Sequence, residues 1–188
     1  MQMAFYFDQA RCLGCYTCRV ACKDWHDVEA GPAVWRQITA KEWGTYPTVY
    51  LSYVSLSCNH CESPACAEAC PVDAITKRDK DGVMVVDREE CLGGDDCGRD
   101  CLEACPYNVP QFGEEENPKM QMCTFCADRL AEDKMPICVE SCPMRALDAG
   151  PIDALKEKYG SVQTIDGFIF SPKTKPSIVF KPRYTEKS

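Results

Sequence analysis

The sequence predicts an α+β fold in which short strands and short helices are organised around cysteine rather than around a large apolar core. Three observations lead there. The 188 residues hold 16 cysteines, about 8.5% of the chain, far above ordinary globular usage. These fall into four groups of four: Cys12, Cys15, Cys18 and Cys22; Cys58, Cys61, Cys66 and Cys70; Cys91, Cys97, Cys101 and Cys105; Cys123, Cys126, Cys138 and Cys142. Between the groups lie brief apolar runs bounded by charged or glycine-bearing turns, the signature of short strands.

The spacing decides what the cysteines are for. Cys12, Cys15 and Cys18 sit within seven residues, too close to pair readily with one another as disulfides. Zinc sites favour two pairs of ligands separated by a spacer. Three close cysteines, with a fourth standing before proline as in Cys70-Pro71, Cys105-Pro106 and Cys142-Pro143, form the bacterial ferredoxin run. Soft thiolate sulfur suits iron, and each group has enough thiolates for one four-iron cluster. In two-cluster ferredoxins the fourth cysteine of a run ligates the other cluster, so groups are expected to cross-ligate in pairs. Metal binding can supply folding energy that a small core cannot; the metal-free chain is expected to be largely unfolded.

The elements follow in order. Residues 4–8 read as a strand leading into the first group. Residues 23–57 are an insertion holding Trp25, Trp35 and Trp43 and a β-rich run at 48–56; its expected role is to pack over the clusters and exclude water. After Cys70-Pro71, residues 72–76 read as a strand, 77–82 as a charged turn ending near Gly82, and 83–87 as a second strand leading into Cys91. Glu114, Glu115 and Glu116 with Pro118 read as a solvated connection. A short strand is expected at 146–147. A helix is expected at 151–159, with Pro151 near its start and Gly160 as its stop. The tail 161–188 carries two apolar patches, Phe168-Ile169-Phe170 and Ile178-Val179-Phe180, between prolines. It is too small to fold alone and is expected to lie along a partner or back along its own body.

Charge narrows the function. The formal charge is −8 with cysteines neutral; four clusters at about −2 each would bring it to about −16. So acidic a chain is a poor partner for nucleic acid or an anionic membrane surface and a reasonable one for a basic protein face. No apolar run is long enough to span a bilayer, so no direct membrane insertion is expected. Neither a secretory apolar region nor a twin-Arg pair is read in the sequence. No Ser/His/Asp constellation, phosphate loop or dinucleotide fingerprint is present, so no substrate chemistry is expected of the chain itself.

From residue 7 to about 182 the sequence resembles the four-cluster electron-transfer subunit of the dimethyl sulfoxide reductase and polysulfide reductase family of molybdenum or tungsten oxidoreductases. The resemblance rests on Cys12-Leu-Gly-Cys15-Tyr-Thr-Cys18 through Cys22-Lys-Asp, and on Ser57-Cys58-Asn-His-Cys61 through Pro64-Ala-Cys66 to Cys70-Pro71. It rests equally on Cys123-Thr-Phe-Cys126, Pro136-Ile-Cys138-Val-Glu-Ser-Cys142-Pro143, Arg145-Ala-Leu, Gly150-Pro151 and the tail from Thr174 to Pro182. It implies four 4Fe-4S clusters in two ferredoxin-like two-cluster units. One unit would be 1–22 with 106–160, built on the first and fourth groups. The other would be 58–105, built on the second and third, with 23–57 as a β-rich insertion and 161–188 as an extended docking tail. The implied ligand sets are Cys12, Cys15, Cys18 and Cys142; Cys22, Cys123, Cys126 and Cys138; Cys58, Cys61, Cys66 and Cys105; and Cys70, Cys91, Cys97 and Cys101. The implied partners are a large molybdopterin (Mo or W) catalytic subunit near the first-group cluster and, beyond the third-group cluster, a membrane quinone-interacting subunit or a soluble electron carrier. The implied location is the cytoplasm or a membrane reached through a partner, and the periplasm only if a partner's twin-Arg signal carries the chain.

The third group departs from the family pattern. Five residues separate Cys91 from Cys97 and three separate Cys97 from Cys101, with Gly93-Gly94-Asp95-Asp96 among the additions. Four cysteines are still present, so a four-iron cluster is expected there rather than a three-iron one, with a bulged loop that glycine permits. Asp95 and Asp96 would lower that cluster's potential, opposed by Arg99. His60 is expected to pack or to hydrogen-bond to sulfur rather than to ligate, and His26 to lie at the surface or to pack. Three other readings stand beside the wire subunit: a free-standing polyferredoxin, a wire on a tungsten aldehyde oxidoreductase or hydrogenase-type complex, and a structural zinc protein.

Overall fold

Strand β1 (Met3–Asp8) is an almost purely apolar run, and all but its first residue are buried. Alternation along the strand sends its side chains two ways. Phe5 and Phe7 enter the main core among the cysteines, whereas Ala4 and Tyr6 enter a smaller core with Leu155 and Val179. A strand covered on both faces can be continuously apolar. Each large side chain buried here contributes on the order of 2 kcal/mol.

The computed structural model describes residues 1–184. After β1 come helix α1 (Thr17–Trp25), the hairpin strands β2 (Gln37–Thr45) and β3 (Thr48–Leu56), the single turn α2 (Ala65–Glu68), and strands β4 (Ile75–Lys77) and β5 (Met84–Val86). They are followed by α3 (Asp100–Ala104), α4 (Ala127–Leu130), α5 (Ile137–Glu140), β6 (Leu147–Pro151), α6 (Ile152–Tyr159) and β7 (Ile178–Lys181). The strands form one three-stranded sheet in the order β6-β1-β7 and two antiparallel pairs, β2-β3 and β4-β5. β1 runs antiparallel to β6 and parallel to β7. This is the mixed α+β architecture of small helices and strands that the cysteine repeat predicts.

Several boundaries differ from the sequence reading. The strand expected at 72–76 is β4, which begins at Ile75 because Asp73 turns the chain through a positive φ of 52°. The short strand at 146–147 is the longer β6, carried forward by pairing with β1 as far as Pro151. Only one tryptophan of the insertion packs inward. Trp35 is half-buried, donates to Gln121 Oε1 at 3.0 Å and lies tilted against the His26 ring, centroids 4.7 Å apart. Trp43 lies on the exposed end of the β2-β3 hairpin against Tyr50, with ring centroids 4.2 Å apart. Trp25 sits at the surface, donating to Asp128. Within the insertion expected to pack over the clusters, Ile38 of β2 and Ser55 of β3 line the space around Cys12, Cys15, Cys18 and Cys142.

The tail returns along the chain's own body. Ile178, Val179 and Phe180 are buried in β7, and Phe180 lies edge-on to Phe7 and 4.9 Å from Phe168. Phe168 stacks on Tyr107, and the backbone of Lys175 and Thr174 accepts from Glu62 and Ser63 beside the second cysteine group. For these residues the expected docking tail is a strap, because a three-residue apolar patch with an open β1 edge beside it has a partner within the chain. Ile169 is the exception, 79% exposed. Residues 185–188 of the tail lie outside the described residues. No helix among the described residues is long and apolar enough to cross a membrane.

Candidate metal centres

Four loops carry most of the cysteines, and each contains backbone in the left-handed region. Gly14 and Tyr16 lie in the first, His60 in the second, Gly93, Gly98 and Arg99 in the third, and Phe125 and Cys126 in the fourth. The non-glycine residues among these cost on the order of 1–3 kcal/mol each unless the surroundings impose them. The reversals aim backbone N–H groups at sulfur: His60 donates to Cys58 Sγ at 3.4 Å, Phe125 to Cys123 Sγ at 3.4 Å and Ala146 to Cys142 Sγ at 3.3 Å. At Gly14 a Cβ would enter the ring of Tyr53.

Short helices then divide each group between two places. Cys18 and Cys22 are one turn apart on α1, and Cys138 and Cys142 are one turn apart on and just after α5, which packs against α1. Residues four apart share a helix face but are separated by a turn of rise. Cys18 therefore joins Cys12 and Cys15 with Cys142 around a cavity that has about 350 Å³ of empty space, part of it open to solvent. Cys22 instead lies beside Cys123, Cys138 and Cys126. The same exchange occurs between α2 and α3, which also pack together. Cys58, Cys61 and Cys66 line a cavity of about 320 Å³ with Cys105, and Cys91, Cys97 and Cys101 line one of about 350 Å³ with Cys70.

The four sets succeed one another along the molecule. Cys18 of the first feels the charge of Cys138 in the second. Cys58 of the third feels Cys123 of the second, and Cys66 of the third feels Cys101 of the fourth. Burial pushes the Cys61 thiol up to about 11, and those of Cys66, Cys101 and Cys126 up to about 12. Thiols so disfavoured as anions need a metal's positive charge to hold them as thiolates. Cys15 is shifted the other way: its thiol is held below the ordinary value by hydrogen bonds from the Thr17 hydroxyl and backbone at an exposed position. Among the described residues no three His, Cys, Asp or Glu side chains converge tightly enough to share one ion. Four soft donors spread around an apolar-walled cavity fit a multi-atom iron–sulfur group rather than a single zinc.

Histidines and charges refine the picture. His60 is completely buried, and its Nδ1 accepts from Met84 N–H at 2.9 Å. Burial and the nearby Arg36 push its pKa down to about 3, so the ring is neutral packing between Phe5 and Phe125. His26, expected at the surface or in packing, has Nε2 3.2 Å from Cys126 Sγ; against a thiolate it donates. Its position four after Cys22 was the available signal. Sequence reasoning also missed Arg36, which is 2% exposed. Burial works against its charge, but Cys138, Cys18, Cys123 and Cys22 more than offset this and raise its pKa. In the bulged third loop, Asp95 accepts from Asn117 N–H at 3.2 Å and lies 3.5 Å from Arg99, while Asp96 accepts from Asn117 Nδ2 at 2.8 Å. Both aspartates are exposed, so solvent screens the charge expected to act on a cluster there. Gly93, at a φ of 99°, has Asn117 where a Cβ would stand.

A fold organised by buried thiolate sets defines an iron–sulfur protein, and sequence comparison agrees. A 4Fe-4S dicluster domain matches residues 49–152. The sequence is 45% identical to the B subunit of the anaerobic dimethyl sulfoxide reductase of Escherichia coli K12, over 96% of this protein and 89% of that one. It is 36% identical to the formate dehydrogenase iron-sulfur subunit of Wolinella succinogenes, covering 82% and 84% of the two proteins. It is 39% identical to the thiosulfate reductase electron transfer subunit PhsB of Salmonella typhi, covering 81% and 77%. The chain belongs to this 4Fe-4S dicluster family of iron–sulfur electron-transfer subunits, and within an oxidoreductase complex it is an electron-transfer rather than a catalytic subunit.

Proposed function

We propose that the chain carries single electrons through four 4Fe-4S clusters between a molybdopterin (Mo or W) catalytic subunit and a second redox partner. The observation that carries this reading is the linear succession of four cysteine sets, each completed by a cysteine from another group. The proposed ligands are Cys12, Cys15, Cys18 and Cys142; then Cys22, Cys123, Cys126 and Cys138; then Cys58, Cys61, Cys66 and Cys105; then Cys70, Cys91, Cys97 and Cys101. When bound, the clusters supply reversible one-electron transfer at potentials set by their surroundings. The chain's own residues position sulfur, exclude water and hold the sets close. β1 and β3 wall off the first two sets, and the tail strap ties the second cysteine group to the sheet. The two-unit division follows from the same exchange: α1 pairs with α5, α2 with α3. By family resemblance the first set faces the catalytic subunit, and the set around Cys91 faces a membrane quinone-interacting subunit or a soluble carrier.

The test is the metal content of the complex purified without oxygen through this chain. Stoichiometric molybdenum or tungsten with iron at or above about sixteen atoms per chain supports the reading. Iron without a co-purifying large subunit replaces it with a free-standing polyferredoxin. Zinc in place of iron refutes both.

A further inference from the structure

Arg36 lies within the main body with no carboxylate partner. It is 2% exposed, and among the described residues no Asp or Glu is within ion-pair reach of it. Its Nη1 donates to Ser55 Oγ at 3.2 Å and its Nη2 to Ser57 Oγ at 2.9 Å, while Nε has no partner. Ser55 in the last stretch of β3 and Ser57 just past its end are two apart in extended chain, so their hydroxyls face the same way and the planar fork spans both. The guanidinium also lies over the Phe5 ring, 4.6 Å from its centroid. A buried cation with no carboxylate partner is costly unless an anion neutralises it, and besides the two hydroxyls and the ring the guanidinium reaches the Cys138 sulfur.

The hydroxyls point to that anion. Ser55 Oγ is 3.7 Å from Cys18 Sγ, and Ser57 reaches Cys123. A serine that accepts from guanidinium through its lone pair still has its O–H to donate to a thiolate. Cys18 belongs to one set and Cys123 to the next, so the Ser55–Arg36–Ser57 bracket touches both. We propose that Arg36 is the shared counter-charge of the first two cluster sites, moored by Ser55 and Ser57, and that it raises the reduction potentials of these two sites and not those of the other two. A fixed positive charge favours the more negative, reduced state, and hydrogen bonds to sulfur act in the same direction. Arg36 is thus a positioning residue for electron flow, biasing it toward the end of the wire that contains Cys12. The inference rests on the four-cluster reading above.

The experiment is a potentiometric titration, followed by electron paramagnetic resonance, of the intact complex purified without oxygen, with iron counted on the same sample. Arg36→Lys, which keeps the charge, and Arg36→Gln, which removes it, are compared with the parent. In Arg36→Gln, two reduction steps should fall together by about tenfold or more in equilibrium constant, about 59 mV each for a one-electron couple, while the other two hold. Arg36→Lys should recover most of the shift. Four unmoved steps at full iron content overturn the proposal. If Arg36→Gln loses iron, the Ser55→Ala/Ser57→Ala double variant decides: the same two steps should fall, and unmoved steps again overturn it. Fewer than about sixteen irons in the parent complex defeats the four-cluster reading instead, so the two failures are distinguishable.

Discussion

Replacing Phe180 by alanine tests whether the C-terminal segment is a structural strap. Phe180 is completely buried in β7, edge-on to Phe7 of β1 and 4.9 Å from Phe168. Truncating a fully buried phenylalanine costs about 3–5 kcal/mol, from lost transfer energy and from the cavity left behind. For a chain of this size each kcal/mol moves the melting temperature by about 2–4 °C, so the expected loss is about 6–20 °C. The assay is anaerobic heating of the cluster-loaded protein at one fixed rate, followed through its visible absorbance, because cluster loss makes the transition irreversible. Ile169→Ala is the control: the side chain is 79% exposed and its loss should stay within about 0.5 kcal/mol. If Phe180→Ala melts within about 2 °C of the parent, the strap argument is refuted. A large effect of Ile169→Ala on the isolated chain would equally contradict it.

Stripping the iron with a chelator and an oxidant should remove most far-ultraviolet helix and strand signal, since the short helices α2 to α5 have little apolar surface beyond what surrounds the cysteines; retention of that signal would show a core sufficient without metal. Gly93→Ala should strain a φ of 99° and strike Asn117, lowering iron from about sixteen toward about twelve per chain by losing one site, with the other three reduction steps intact. His26→Phe keeps a ring against Trp35 but removes the contact with Cys126 Sγ at 3.2 Å. One hydrogen bond of about 1 kcal/mol corresponds to about 40 mV in a one-electron couple, so a single reduction step should fall by that order. Cys142→Ser should damage the site shared with Cys12 and leave Cys123, Cys126 and Cys138 loaded; loss confined to the latter set would contradict the exchange between α1 and α5.

Much of this protein was legible in its sequence because cysteine spacing is a local property. Runs such as Cys12-x2-Cys15-x2-Cys18 declare a soft-metal site whatever surrounds them, and the prolines after Cys70, Cys105 and Cys142 mark where each run ends. The electron-transfer class follows from that chemistry and from the family resemblance. Strand β1 and the helix before Gly160 were readable from apolar runs and stop signals.

What only the tertiary structure decided depends on contacts between distant segments. Whether the apolar patch at 178–180 meets a partner or its own body turns on the free edge of β1, which no local pattern announces. Asp95 and Asp96 stand close to Cys97 in sequence, yet Asn117, more than twenty residues away, holds their loop outward. His26 read as packing because Cys126 is a hundred residues distant. In the sequence Arg36 is one basic residue among many in an acidic chain. Its importance arises only when β3 lays Ser55 and Ser57 beside it and α1 and α5 bring thiolates from both ends of the sequence within reach. Residue type sets which atoms can bind iron; folding sets which charges are buried near it, and buried charge governs reduction potential.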